Sequence, residues 1–176
     1  EGMGFVDVAV GRDLGVRLVD VNADGWVDVV KGTTANRSTF LNNGKNTPAS
    51  PWVASDQWQV PVDAVFVVDS TSKDLGVRFA DVNADGYPDL LKGNTTQVKT
   101  WLNNGNGWTE DPLWNVPGGA GFANTTAEDN GVRITDVNGD RLPDLVQGFD
   151  TNLNTWLNNG SGWSLNNSWA IPTTTI

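Results

Sequence analysis

Three stretches of this chain carry oxygen donors at a spacing that could hold a metal ion. Asp20, Asn22, Asp24 and Asp28 occupy positions one, three, five and nine of a nine-residue loop. Asp81, Asn83, Asp85 and Asp89 repeat the pattern, and Asp136, Asn138, Asp140 and Asp144 repeat it again. Alternate side chains on a tight loop converge, and the carbonyl at position seven (Trp26, Tyr87 or Leu142) can turn inward with them. A set of about six oxygens suits Ca²⁺; Mg²⁺ demands a stiffer octahedron and keeps several waters. Three carboxylates packed into nine residues also repel one another unless a cation lies between them. The pattern therefore predicts three Ca²⁺ sites. The competing reading is a solvated turn, because Asp, Asn and Gly all favour turns; three copies at one spacing argue against it.

The loops differ from one another and from EF-hands. Position twelve is Lys31, Lys92 or Gln147 where an EF-hand has a bidentate Glu, and strand-like sequence follows each loop. Position six is Gly25 and Gly86 in the first two loops but Arg141 in the third, with Gly139 at position four. A side chain at positive φ is strained. The third site is therefore expected to form but to be the weakest.

The elements that position these loops repeat with them. Residues 13–32 read DLGVRLVDVNADGWVDVVKG, 74–93 read DLGVRFADVNADGYPDLLKG and 129–148 read DNGVRITDVNGDRLPDLVQG. Each is followed by a LNNG block and then by WQVP, WNVP or WAIP. From the first Asp of the loop to the Leu of LNNG is 21 residues in every copy, although the overall period changes from 61 to 55. Length is thus constrained in the core of the unit and free in its outer turns. The repeats divide the chain into 1–61, 62–117 and 118–176, one continuous repeat domain.

Each unit reads as four short strands. In the first, these are Val16–Asp20, Val27–Lys31, Arg37–Leu41 and Trp58–Val60, the last stopped by Pro61. Segments 1–12, 62–73 and 118–128 read as variable connectors. Repeated antiparallel four-strand units indicate an all-β chain of three propeller-blade-like repeats. Propellers close with four to eight blades, so three imply either part of a β-propeller or an open or oligomeric array. The segment before the first acidic loop is as long as the connector after Pro61, and the chain stops soon after WAIP. One copy therefore has the phase to meet another head to tail, as a ring or a filament.

Composition narrows the chemistry further. The 176 residues hold 18 Asp and 3 Glu against 11 Lys and Arg, a formal charge of −10. Three Ca²⁺ would add six charges and leave −4. Such acidity disfavours nucleic acid. There is no Cys and no His, which removes disulfides, thiolate nucleophiles and Ser/His/Asp or Cys/His triads. No apolar run approaches a membrane-spanning length. A chain beginning at Glu1 fits a processed secreted protein or a piece of a longer one. Five Asn-x-Ser/Thr sequons, at Asn36, Asn94, Asn124, Asn159 and Asn166, barely exceed chance and matter only in a glycosylating host.

The pattern GVRLVDVNADGWVDVVKG resembles the FG-GAP/VCBS repeat of integrin α-subunit propellers and of bacterial surface and toxin-associated proteins. The resemblance extends over all three units. It implies Ca²⁺ held in each acidic loop between adjacent strands of one blade, on the residues already named. Leu14-Gly15, Leu75-Gly76 and Asn130-Gly131 stand where that family often has Phe-Gly, and Gly32-Thr33-Thr34 where Gly-Ala-Pro is common. These departures point to the broader bacterial type of repeat.

The leading expectation is a non-enzymatic, calcium-stabilised protein of the cell surface or extracellular space, with a structural or adhesive role. Its expected partners are further copies of itself or adjacent repeats of a longer chain, with glycans or cell-surface proteins as alternatives. The nine Trp fall three to a unit and are expected chiefly to pack blade on blade. The alternative function is a lectin-like module, with Trp52, Trp108 and Trp163 as glycan contacts. An enzyme is disfavoured because the Asp residues are committed to the loops. Arg17, Arg78 and Arg133 recur at one strand position and are expected to form ion pairs within their blades.

Overall fold

The computed structural model describes residues 3–44 and 51–172. A two-residue pair, β1 (Val6–Asp7) with β2 (Arg12–Asp13), precedes three four-stranded sheets. The first sheet is β3 (Val16–Val19), β4 (Asp28–Gly32), β5 (Arg37–Asn42) and β6 (Trp52–Ala54). The second is β7 (Val77–Ala80), β8 (Asp89–Gly93), β9 (Val98–Asn103) and β10 (Trp108–Glu110). The third is β11 (Val132–Thr135), β12 (Asp144–Gln147), β13 (Thr155–Asn158) and β14 (Trp163–Leu165). Each sheet is an antiparallel meander in chain order, and the whole is all-β and blade-like. Residues rich in Val, Leu, Thr and Trp suit such pleated surfaces.

Register is the same in the three blades. Val19 faces Asp28, Ala80 faces Asp89 and Thr135 faces Asp144, so each acidic loop is the turn of the first hairpin. The inner turn is closed at its far end by a tight approach. Gly76 has a positive φ of 71°, and a Cβ there would strike the Gly93 carbonyl oxygen. Only glycine satisfies both demands.

The expected fourth strand at Trp58–Val60 is corrected by the structure. The fourth strands are Trp52–Ala54, Trp108–Glu110 and Trp163–Leu165, while the Trp-x-Val-Pro segments pair with no strand. Trp58 and Val60 are buried instead as packing, and so are Trp114 and Val116. Alternating Trp and Val before Pro imitates a strand. Here the alternation reflects insertion into a core.

That core lies between blades, not within them. Trp58 and Val60 from the first unit pack with Phe66, Val77, Leu90 and Trp101 of the second. Trp114 and Val116 of the second pack in the same way with Phe122, Val132, Leu145 and Trp156 of the third. The stretches expected to be variable connectors carry part of this packing. The Phe66 amide donates to the Gly32 carbonyl at 2.9 Å, and the Phe122 amide to the Gly93 carbonyl at 2.7 Å.

Candidate metal centre

Each acidic loop folds by the same hydrogen bonds. In the first, the Asp20 carboxylate accepts from the amides of Asp24 (3.1 Å) and Gly25 (2.8 Å), and Asp24 accepts from the Trp26 amide (2.8 Å). Asp81 and Asp85 accept from Asp85, Gly86 and Tyr87 in the second loop. Asp136 and Asp140 accept from Gly139, Asp140, Arg141 and Leu142 in the third. These bonds curl the loop so that positions one, three and five share its outer rim, half-buried or exposed. The Asn at position three donates its side-chain amide to the Asp at five, at 2.9, 2.9 and 2.8 Å.

Position nine differs in kind. Asp28, Asp89 and Asp144 have no exposed surface. One oxygen accepts from the amide of Val21, Val82 or Val137, and the other from the amide of Asn42, Asn103 or Asn158. The aspartate thus ties the start of the loop to the end of the third strand of its blade. This explains the constant 21-residue spacing, because the carboxylate and the amide it grips are always 14 residues apart. Burial pushes the Asp28 carboxyl up and the Asp89 carboxyl to about 7, against two amides that favour the anion. The carboxylates at positions five and one add to that push.

The donor set fits a hard cation in its chemistry: carboxylate, amide and carbonyl oxygens, with no nitrogen or sulfur ligand. Among the described residues, however, no three acidic side chains gather as a metal cluster. The carboxylates at positions one and five are drawn to backbone amides, and that at nine is buried behind them.

Two positions in every loop have positive φ. Ala23 and Gly25 (56° and 89°), Ala84 and Gly86 (59° and 90°), and Gly139 and Arg141 (84° and 74°) stand at positions four and six. Each loop therefore has one glycine and one strained residue. The third loop exchanges the order and keeps the strain count.

The loops also sit at the joints between blades, which the acidic motif alone does not reveal. The Asn103 side-chain amide of the second blade donates to the Val21 carbonyl in the first loop at 2.7 Å. Asn158 donates to the Val82 carbonyl in the second loop at 2.7 Å. Asn103 and Asn158 are buried. Their place as the first Asn of LNNG was visible, but its use across blades was not.

Arg17, Arg78 and Arg133 pair with Asp13, Asp74 and Asp129 at 2.9, 2.7 and 2.7 Å. Trp108 and Trp163 are half-buried at the joints, with indole N–H groups donating to the carbonyls of Trp58 (3.4 Å) and Trp114 (3.1 Å). Trp108 also meets Trp58 edge to face, as Trp163 meets Trp114. Trp52 is exposed on the first blade. No helix among the described residues is long and apolar enough to cross a membrane.

Residues 20–92 match the family model described as the FG-GAP-like repeat. A search of curated proteins finds no match. Several solved structures share the fold, among them the following two. One is a lectin of Agrocybe aegerita described as recognising non-reducing terminal N-acetylglucosamine, at TM-score 0.55 and 20% identity over 85% of this chain. The other is a Photorhabdus luminescens Tc holotoxin pore, at TM-score 0.51 and 21% identity over 86%. This chain spans 37% of the first of those chains and 7% of the second.

Proposed function

We propose, from the match of residues 20–92 to the FG-GAP-like repeat model, that the chain is a non-enzymatic, calcium-stabilised repeat protein of the cell surface or extracellular space. Its role is structural or adhesive, and it associates with further copies of itself. The supporting observation is the position of the acidic loops. Each is tied by its buried aspartate to its own blade, and the first two receive an asparagine from the next blade. A cation there would brace a joint.

Asp20, Asn22 and Asp24, with the Trp26 carbonyl, would hold the ion in the first loop. Asp81, Asn83, Asp85 and Tyr87, then Asp136, Asn138, Asp140 and Leu142, would do so in the others. Asp28, Asp89 and Asp144 support the loop from behind. A bound Ca²⁺ would supply positive charge against paired carboxylates, so binding energy becomes folding energy. Loops this exposed match the affinity of extracellular modules, about 10⁻⁴–10⁻³ M. Thermal unfolding in millimolar Ca²⁺ and then in excess chelator tests the reading. A fall of several degrees on chelation is expected; an unchanged transition rejects it.

A second reading is glycan binding. It is favoured by the fold shared with a lectin and by the exposed Trp52 indole beside Asn42. Trp fluorescence titrated with N-acetylglucosamine-terminated glycans tests it, and Trp52→Ala should abolish any response.

A further inference from the structure

The two joints inside the molecule are built alike, and each has two sides. The earlier blade offers a trailing face: a loop carbonyl (Val21 or Val82), a glycine carbonyl (Gly32 or Gly93) and a Trp-x-Val segment. The later blade offers a leading face: the LNNG asparagine, the connector Phe and two apolar strand residues. In both joints the guanidinium of the earlier blade, Arg17 or Arg78, lies over that Phe ring at 5.2 and 5.5 Å.

Among the described residues, both kinds of face occur once more without a covering blade, at the two ends of the array. The first blade carries the leading face. Asn42 stands in the place of Asn103, and Val29 and Phe40 in the places of Leu90 and Trp101. Phe5 stands in the place of Phe66: the Leu14 amide donates to Phe5 as the Leu75 amide does to Phe66. Phe5 is 51% exposed where Phe66 is 1%. Together with Leu18, these residues line an apolar hollow of about 660 Å³. The third blade carries the trailing face. Trp169 and Ile171 are each 43% exposed, where Trp58 and Val60 are 3% and 0%. The Arg133 side chain is 66% exposed against 33% and 36% for Arg17 and Arg78.

We propose that a second copy of this chain covers both faces, so that two chains close head to tail into one six-bladed ring. The hollow on the first blade receives Trp169 and Ile171 of the second copy. Asn42 donates to the Val137 carbonyl of that copy, Phe5 to its Gly148 carbonyl, and the Phe5 ring lies under its Arg133. Each contact repeats one seen twice within the chain. A heterologous contact must close or polymerise. Two copies give six blades, within the four to eight that propellers use, while three would give nine. The proposal rests on reading the chain as self-associating but not on calcium.

The test is mass by light scattering at fixed millimolar Ca²⁺, on the whole chain. Leu18→Asp blocks the leading face and Ile171→Asp the trailing face; both positions are exposed in one copy, and circular dichroism checks that the blades persist. The expected result is twice 18.9 kDa for the unaltered chain and a single copy for each variant. An equal mixture of the two variants should recover the pair, because one joint then has two intact faces. A single-copy mass for the unaltered chain, with or without a bound glycan, overturns the proposal. So does a larger polymer, a pair that neither variant breaks, or a mixture that stays single. A two-copy mass with an unfolding transition indifferent to chelator would reject the calcium reading alone.

Discussion

The aspartate at position nine of each loop works for the fold, whereas those at one and five face the rim. Asp89 is buried and accepts from the amides of Val82 and Asn103. Asp89→Ala leaves two buried donors without partners, each costing about 1–3 kcal/mol. Urea denaturation in excess chelator should therefore show a loss of at least about 2 kcal/mol, with no metal binding involved. The strained position in the third loop gives the opposite sign. Arg141 is exposed and holds φ at 74°. Arg141→Gly relieves a left-handed conformation that costs about 1–2 kcal/mol in an L-residue. It should raise the melting temperature. No gain would mean that the Arg141 side chain makes up the strain elsewhere. Ala23 and Ala84 carry equivalent strain, so the expected weakness of the third site cannot come from backbone strain alone.

Blades are joined by a few specific contacts whose loss should be felt locally. Asn103→Ala deletes the donor to the buried Val21 carbonyl, and the stranded acceptor costs about 1–3 kcal/mol. Hydrogen exchange should show faster opening of the amides at the first joint than at the second. The Asp–Arg pairs at the start of each first strand add a pH dependence. The Arg133 guanidinium holds the Asp129 carboxyl below its usual value of 3.8. Its folded pKa lies below the unfolded one, so the stabilisation is present above about pH 4 and is lost as pH falls through the folded value. Both partners are more than half exposed, so Arg133→Gln should cost no more than about 1 kcal/mol at neutral pH. In strong acid it should cost nothing. An equal cost at both pH values would assign the effect to packing instead.

Three blades share two cores, so stability passes from neighbour to neighbour as in other repeat arrays. Phe122 is buried in the second core and absent from the first. Phe122→Ala should cost about 3–5 kcal/mol. Its effect should be uneven: amides of β11–β14 lose protection, while those of β3–β6 keep theirs. Uniform loss would indicate a single cooperative unit. The same arrangement leaves Phe5, Leu18, Trp169 and Ile171 exposed at the two ends, where each lacks the blade that covers its counterpart inside.

Much of this molecule could be read from its residues because the signals are local. The acidic loops, the glycine turns and three strands of each blade depend on neighbours a few positions away, and the threefold repetition multiplies each signal. The fourth strand escaped because Trp52–Ala54 is an exposed edge that pairs on one side and has no alternating pattern. The Trp-x-Val-Pro segment imitated it because burial between two blades also selects alternate apolar residues. Composition and spacing thus determine the repeat, its loops and its β character. Tertiary structure alone decides that the cores lie between blades, that Asn103 and Asn158 reach across to the preceding loop, and which faces stay open. Those contacts join residues up to 82 positions apart, a distance at which no local pattern records who the partner is.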